Sequence, residues 1–247
     1  MDIAEHIEIV DVEGRLLADA AEEAGPDAKV ATCPDWQVRH LLRHQGAVHR
    51  WAASYVAEGH TARRPLTEPA GLDGDALLDW YREGHRLLVD TLTGASPDVE
   101  CWAFMAAPSP LAFWARRQAH ETTVHRVDAQ SALTRPPGDE PGPITEEFAV
   151  DGIDELLTGF HARERSRVRV TEPRVLRVRA TDADVTWTVR LTQDPPAAAR
   201  GGTEAEADCE VSGPAARLYL ALWNRLPLPD VTGDTALAEL WRRTSGV

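Results

Sequence analysis

Over roughly the first 130 residues, apolar side chains return every three to four positions. Ile9, Val10, Leu16, Leu17 and Ala20 share one stripe, which predicts an amphipathic helix ending near Gly25-Pro26. Asp35 is suited to cap a second helix, along which Val38, Leu41, Leu42, Val48 and Ala52 continue the stripe as far as Gly59. Leu77, Leu78, Tyr81, His85, Leu88 and Val89 predict a third helix over 73–93. Phe113, Trp114, Ala119 and Val124 predict a fourth from about Pro110 to Ala132. Four amphipathic helices joined by loops imply an antiparallel bundle.

The segment RPPGDEPGP, residues 135–143, has four prolines and two glycines in nine positions, so it cannot continue a helix and reads as a linker. Beyond it the period changes. A helix from Glu146 to about Gly159 is followed by two-residue alternation, with Val185, Trp187, Val189 and Leu191 on one face and Thr186, Thr188 and Arg190 on the other. Ala205, Ala207, Cys209 and Val211 alternate with acidic residues, and Leu176, Val178 and Ala180 alternate with Arg177 and Arg179. Half-buried antiparallel strands have this pattern. If the arginine strand and the acidic strand are neighbours, their outward charges pair. Ser212-Gly213-Pro214 opens a helix through Leu218, Leu222 and Trp223, and a last one covers Leu237 to Arg243. The expected fold class is α+β in two domains: a bundle over 1–134, a linker over 135–143, and a small α+β domain with an antiparallel sheet over 144–247.

Composition narrows the function. The chain has 247 residues, enough for two modest cores, and is 43% hydrophobic and 27% charged, as ordinary globular proteins are. A net charge of −14 would repel a phosphate backbone, which argues against nucleic acid as a partner. No run approaches the roughly 18–20 apolar residues needed to span a bilayer, so no membrane partner is expected. MDIAEHIEIVDVEG lacks the basic-then-apolar pattern of an export signal, and the three cysteines (Cys33, Cys101, Cys209) are widely spaced with no CxxC pair. A cytoplasmic location is the expectation. Lys29 is the only lysine among many arginines, a bias that GC-rich genomes produce.

Chemistry concentrates on two helices. In HETTVHRVD, Glu121 and His125 are one turn apart and share a face that Asp128 joins, whereas His120 is rotated about 100° away. A carboxylate and an imidazole one turn apart can grip one metal ion without backbone strain, although the same spacing is ordinary for a solvated hydrogen-bonded pair. The second helix carries His40, His44 and His49. His40 and His44 make a rival one-turn pair, and helical phase alone does not choose among the three. Trp36, Trp51, Trp114 and Trp223 read as core or pocket wall, with Trp51 on the same helical flank as His44. There is no Gly-x-Ser-x-Gly elbow and no phosphate-cradling glycine loop.

CPDWQVRHLLRHQGAVHRWA, FWARRQAHETTVHRVDAQ and GPAARLYLALWNRLP, in that order around the proline-rich segment, resemble the mycothiol-dependent maleylpyruvate isomerase family of actinobacteria. FAVDGIDELLTGF resembles the start of that family's C-terminal domain, so the likeness covers nearly the whole chain. The resemblance implies a DinB-like metal-binding four-helix bundle followed by a small, sterol-carrier-like α+β domain. It implies His44, Glu121 and His125 as ligands of Zn²⁺ or another divalent metal, which selects His44 over His40 and His49. It also implies that Arg225 in LWNRLP holds substrate or thiol, and it leaves Asp128 as a supporting or acid–base group.

Two imidazoles and one carboxylate leave a zinc ion with an open position, as catalytic rather than structural zinc has. By resemblance the cofactor filling it is mycothiol, a low-molecular-weight thiol. The partner is a small unsaturated acid, isomerised from cis to trans, or an electrophile that keeps the sulfur. Two other readings stand beside this enzyme: a non-catalytic protein that binds metal or a small ligand, and a hydrolase using metal-bound water.

Overall fold

The computed structural model describes residues 1–133, 143–201 and 206–246. The chain divides into two compact units, Met1–Gly142 and Pro143–Val247. Of the expected linker, only Pro143 lies within the described residues, and Ala205 of the expected acidic strand lies outside them.

The first unit is four long helices, α1 (Ile3–Ala24), α2 (Val38–Glu58), α3 (Gly74–Gly94) and α4 (Pro110–Gln130). Local chemistry sets their starts. Asp2 and Glu5 form a reciprocal capping box on α1. Ser109 accepts from the Ala112 N–H with Pro110 behind it on α4. On α2 the expected cap is displaced. Asp35 lies in the preceding loop, and the cap residue is Gln37, whose backbone N–H donates to His40 Nδ1 at 3.1 Å. A short bridge between Lys29 and Gln37 closes the α1–α2 loop at that point and moves the helix start past Asp35. Gly59, at φ 64°, ends the helix in the left-handed conformation that glycine adopts without strain.

The apolar stripes meet as Leu17, Val38, Leu41, Leu77 and Tyr81, all fully buried. A Cβ on Gly46 would come within 2.3 Å of the Trp80 ring, so α2 and α3 pack at this separation because residue 46 has no side chain. Helix α4 is buried on almost every side, polar residues included, and it packs chiefly on α1 and α2.

The second unit opens with α5 (Glu146–Asp154), which loosens into a π-helical turn, Glu155–Phe160. Next come β1 (Arg174–Ala180), β2 (Val185–Leu191), β3 (Ala197–Arg200), β4 (Cys209–Gly213), α6 (Ala215–Leu222), β5 (Asp230–Gly233) and α7 (Thr235–Thr244). The sheet order is β3-β2-β1-β4-β5. Register aligns the inward residues: Val178 lies opposite Trp187 on one side and Val211 on the other.

The α+β class is as expected, with one departure in the sheet: β1 and β4 run parallel, while the other neighbours are antiparallel. Residue alternation has period two in either orientation, so the pattern could not distinguish them. The charged faces do meet there, with Arg179 Nε donating to Glu210 Oε1 at 3.0 Å and Arg177 Nη1 3.6 Å from Glu210 Oε2. Strands β3 and β5 were not anticipated. Each has four residues, too few for alternation to register, and β3 is mostly alanine.

Candidate metal centre

The hydrophobic stripe of α2 turns His44 toward α4, where Glu121 and His125 sit one turn apart. His44 Nε2 is 3.7 Å and His125 Nε2 3.4 Å from the same oxygen, Glu121 Oε1. One ligand atom from each of the three residues lies within 4.8 Å of the other two, a spacing that suits one shared cation. The His44 and Glu121 side chains are each 24% exposed, against 10% for His125, so the group is accessible from one side.

Each donor is held from behind. His125 Nδ1 is 2.9 Å from Asp128 Oδ2, and Asp128 is fully buried. The other Asp128 oxygen accepts from the Thr32 hydroxyl at 2.6 Å, and Ser131 Oγ is 3.1 Å from that hydroxyl. Arg117, one turn before Glu121, donates from Nη2 to Glu121 Oε2 at 3.2 Å. His44 Nδ1 faces Glu68 Oε1 at 3.7 Å. The Trp36 ring lies against both imidazoles, edge-on to His44 (5.2 Å, 60°) and nearly parallel to His125 (6.1 Å, 13°).

One residue further into the bundle, Gln45 and Thr122 join α2 to α4. His49 Nε2 is 2.9 Å from Gln45 Nε2 and 3.0 Å from Thr122 Oγ1, and all three residues are buried.

The electrostatics follow from this crowding. Burial alone would raise the Glu121 carboxyl, but His125, His44 and Arg117 outweigh it and hold Glu121 well below the usual carboxylate range. Burial would likewise depress His125, yet Asp128 and Glu121 reverse the direction and raise it to about 9. The two carboxylates around His125 thus favour positive charge at the position where the three donors converge. His49 goes the other way: burial first, and then nearby His85, push it well below its ordinary value.

The structure thus brings together His44, Glu121, His125 and Asp128. Arg225 belongs to the other unit, just past the end of α6, where its Nη1 donates to the Trp223 carbonyl at 2.8 Å. His40 is engaged at the α2 cap, His49 is in the interior, and His120 is fully buried outside the three-residue group. Trp51 does not line the centre. It packs on Tyr55, Trp102 and Trp114, because seven residues along a helix move it about 10 Å from His44. Thr32, Glu68 and Arg117 had not been singled out. Arg117 shares the face of Glu121 at four-residue spacing and could have been found on a helical wheel. Thr32 and Glu68 stand on loops, where no periodicity points to them.

A four-helix unit presenting two histidines and a glutamate together, with an α+β unit following in the same chain, defines a two-unit protein whose helical unit carries a candidate cation site. Residues 8–130 match the family model "Mycothiol maleylpyruvate isomerase N-terminal domain" and residues 147–240 match "MDMPI C-terminal domain". The chain belongs to the mycothiol-dependent maleylpyruvate isomerase family. Among solved structures it is similar to a crystal structure of the mycothiol-dependent maleylpyruvate isomerase, with 14% identity, TM-score 0.62, and 95% of this chain and 94% of that one covered. It is also similar to a mutant of that enzyme, again at 14% identity, with TM-score 0.61 and 91% and 90% covered. At such identity the likeness establishes the fold. No curated protein matches the chain in sequence. Among the described residues no helix is long and apolar enough to cross a membrane.

Proposed function

We propose that this protein is a metal-dependent, mycothiol-dependent enzyme, either an isomerase of the maleylpyruvate type or an S-transferase. The observation that carries the reading is the convergence of His44, Glu121 and His125, with ligand atoms mutually within 4.8 Å and one side accessible. Two neutral imidazoles and one carboxylate suit Zn²⁺ or a similar divalent ion and leave room for an exogenous ligand. A bound ion of this kind lowers a thiol's pKa from about 8.5, so that sulfur is a nucleophile at neutral pH.

The chain's own residues prepare that site. Asp128 holds His125 by Nδ1 and leaves Nε2 toward Glu121. Arg117 holds one Glu121 oxygen and leaves the other between the two histidines. Trp36 packs against both imidazoles, nearly parallel to His125 and edge-on to His44, and so restrains their rings. When bound, mycothiol would supply a thiolate able to add reversibly to a cis double bond conjugated to a carbonyl, chemistry that would allow a cis acid such as maleylpyruvate to leave as its trans isomer, fumarylpyruvate, with the thiol regenerated. In the transferase reaction the sulfur stays on the electrophile. Arg225 is assigned to a carboxylate of substrate or thiol. Cys33, Cys101 and Cys209 form no disulfide, which fits a reducing, cytoplasmic setting.

Elemental analysis of the protein, purified without chelator, is the direct test, with single alanine variants at His44, Glu121 and His125. The expected result is about one equivalent of metal in the native chain and a loss larger than the roughly 10–100-fold that removing an outer partner costs. Full metal content in all three variants would overturn the reading. Supplying mycothiol with maleylpyruvate, and separately with electrophiles, then separates isomerase (thiol regenerated) from transferase (thiol consumed as adduct).

A further inference from the structure

The two histidines of the centre are backed by carboxylates in different ways. Asp128 is buried on the same helix as His125 and pinned by Thr32. Glu68, opposite His44, stands on the connection between α2 and α3, with half of its side chain exposed. That connection has no regular structure, yet it is tethered at two points. At one end the Arg64 N–H donates to Tyr55 Oη at 2.6 Å, and the Arg64 carbonyl accepts from Trp51 Nε1 at 3.0 Å. At the other, the Leu72 carbonyl accepts from Arg43 Nε and Nη2 at 3.2 and 2.7 Å, and the Asp73 carboxylate pairs with Arg39. Tyr55, Trp51, Arg43 and Arg39 all lie on α2, the helix that carries His44. The strap therefore runs back along α2, and the stretch between its tethers, largely exposed, brings Glu68 beside His44 Nδ1.

We propose that Glu68 is a positioning residue for His44. An imidazole that gives the Nε2 lone pair to a cation carries its proton on Nδ1, and that N–H needs an acceptor to fix the ring's orientation and tautomer. Glu68 is the carboxylate facing that nitrogen. Its position is set by the strap, so seating of the strap on α2 and retention of the cation are linked. The inference rests on the metal reading above and adds to it a residue outside the three-donor group.

Two measurements on the full chain test it. Zn²⁺ affinity, by competition with a chromophoric chelator, is expected to fall about 10–100-fold in Glu68→Ala. The fall in Glu68→Gln should be smaller, because the amide keeps a polar oxygen at that position and loses only the charge. Thr67→Ala, on the same strap, should bind like the native chain. In the metal-free protein His44 lies between two carboxylates, Glu68 on the Nδ1 side and Glu121 on the Nε2 side, each at 3.7 Å. Long-range ¹H–¹⁵N correlation spectra should therefore show a smaller share of the Nδ1–H tautomer in Glu68→Ala than in the native chain. Equal zinc affinity and an unchanged His44 tautomer in Glu68→Ala would overturn the proposal. If the native chain binds no zinc, the metal reading fails and the tautomer comparison still decides: a shift upholds the Glu68–His44 coupling, and no shift removes it.

Discussion

The two units differ in how far they rely on buried polar side chains. The helical unit buries Glu13, Gln45, His49, His85, Arg126 and Asp128. The α+β unit packs an apolar sheet face of Leu176, Val178, Trp187, Val189 and Val211, and pairs its charges where water reaches them, as Arg177 and Arg179 do with Glu210. Burying a polar group costs stability unless it is hydrogen-bonded. The bundle offsets much of that cost through links between helices. Arg126 Nε donates to Glu13 at 2.6 Å, Tyr81 Oη to the Gly14 carbonyl at 3.1 Å, and His85 Nε2 lies 3.0 Å from the Val10 carbonyl. An apolar core tolerates small slides between helices, whereas directional bonds do not. Between α2 and α4 the buried contacts of Gln45 and His49 with Thr122 set how the two helices face each other, which is what a donor group shared between them requires.

The sharpest test of this contrast is one charge removed from each unit. Arg126→Ala strands the Glu13 carboxylate inside the bundle and should destabilise that unit by about 3–5 kcal/mol in denaturant unfolding. Arg179→Ala breaks an ion pair at the surface of the sheet and should change stability by less than about 1 kcal/mol. Comparable losses from both would erase the distinction.

The α+β unit has its own buried histidine, which gives the next largest effect. Burial depresses His161 to about 4, and the ring packs 4.7 Å from Trp241. Its folded value lies below the unfolded one of about 6.5, so its stabilisation is complete above that pH and declines as pH falls toward 4. The decline attributable to this group is on the order of 3 kcal/mol. Between pH 6.5 and 5, thermal unfolding of His161→Phe should depend on pH less steeply than that of the native chain. Parallel curves would remove His161 as the cause.

Smaller still, and confined to the site, is the effect of Asp128→Ala. It should lower metal affinity about 10–100-fold while leaving the apolar core intact, read by chelator competition alongside circular dichroism. An unchanged affinity would reduce Asp128 to a structural tie between Thr32 and α4.

Helix existence, the change of period after residue 143 and the α+β class could be read from the chain, because burial on one face imposes a period that local sequence must carry. Glu121, His125 and Asp128 could be grouped for the same reason: they share one helix, so their geometry is local. His44 was different. Its pairing with Glu121 joins residues 77 positions apart, and helical phase left the three histidines of α2 open; only the family resemblance pointed to His44, while packing takes His49 into the core and the cap engages His40. Trp51 shows the same limit from the other side. Its angular phase on α2 was right, and its height along the helix excluded it from the centre.

Local sequence alone therefore determined the elements and the part of the donor set that one helix carries, since backbone geometry within a helix is invariant. Which histidine of α2 joins them, that β1 meets β4 in parallel, that Trp36 rather than Trp51 packs against the imidazoles, and that Thr32 and Glu68 stand behind the donors were decided by packing. Those relations join segments far apart in the chain, through loops and sheet edges whose conformation no period records.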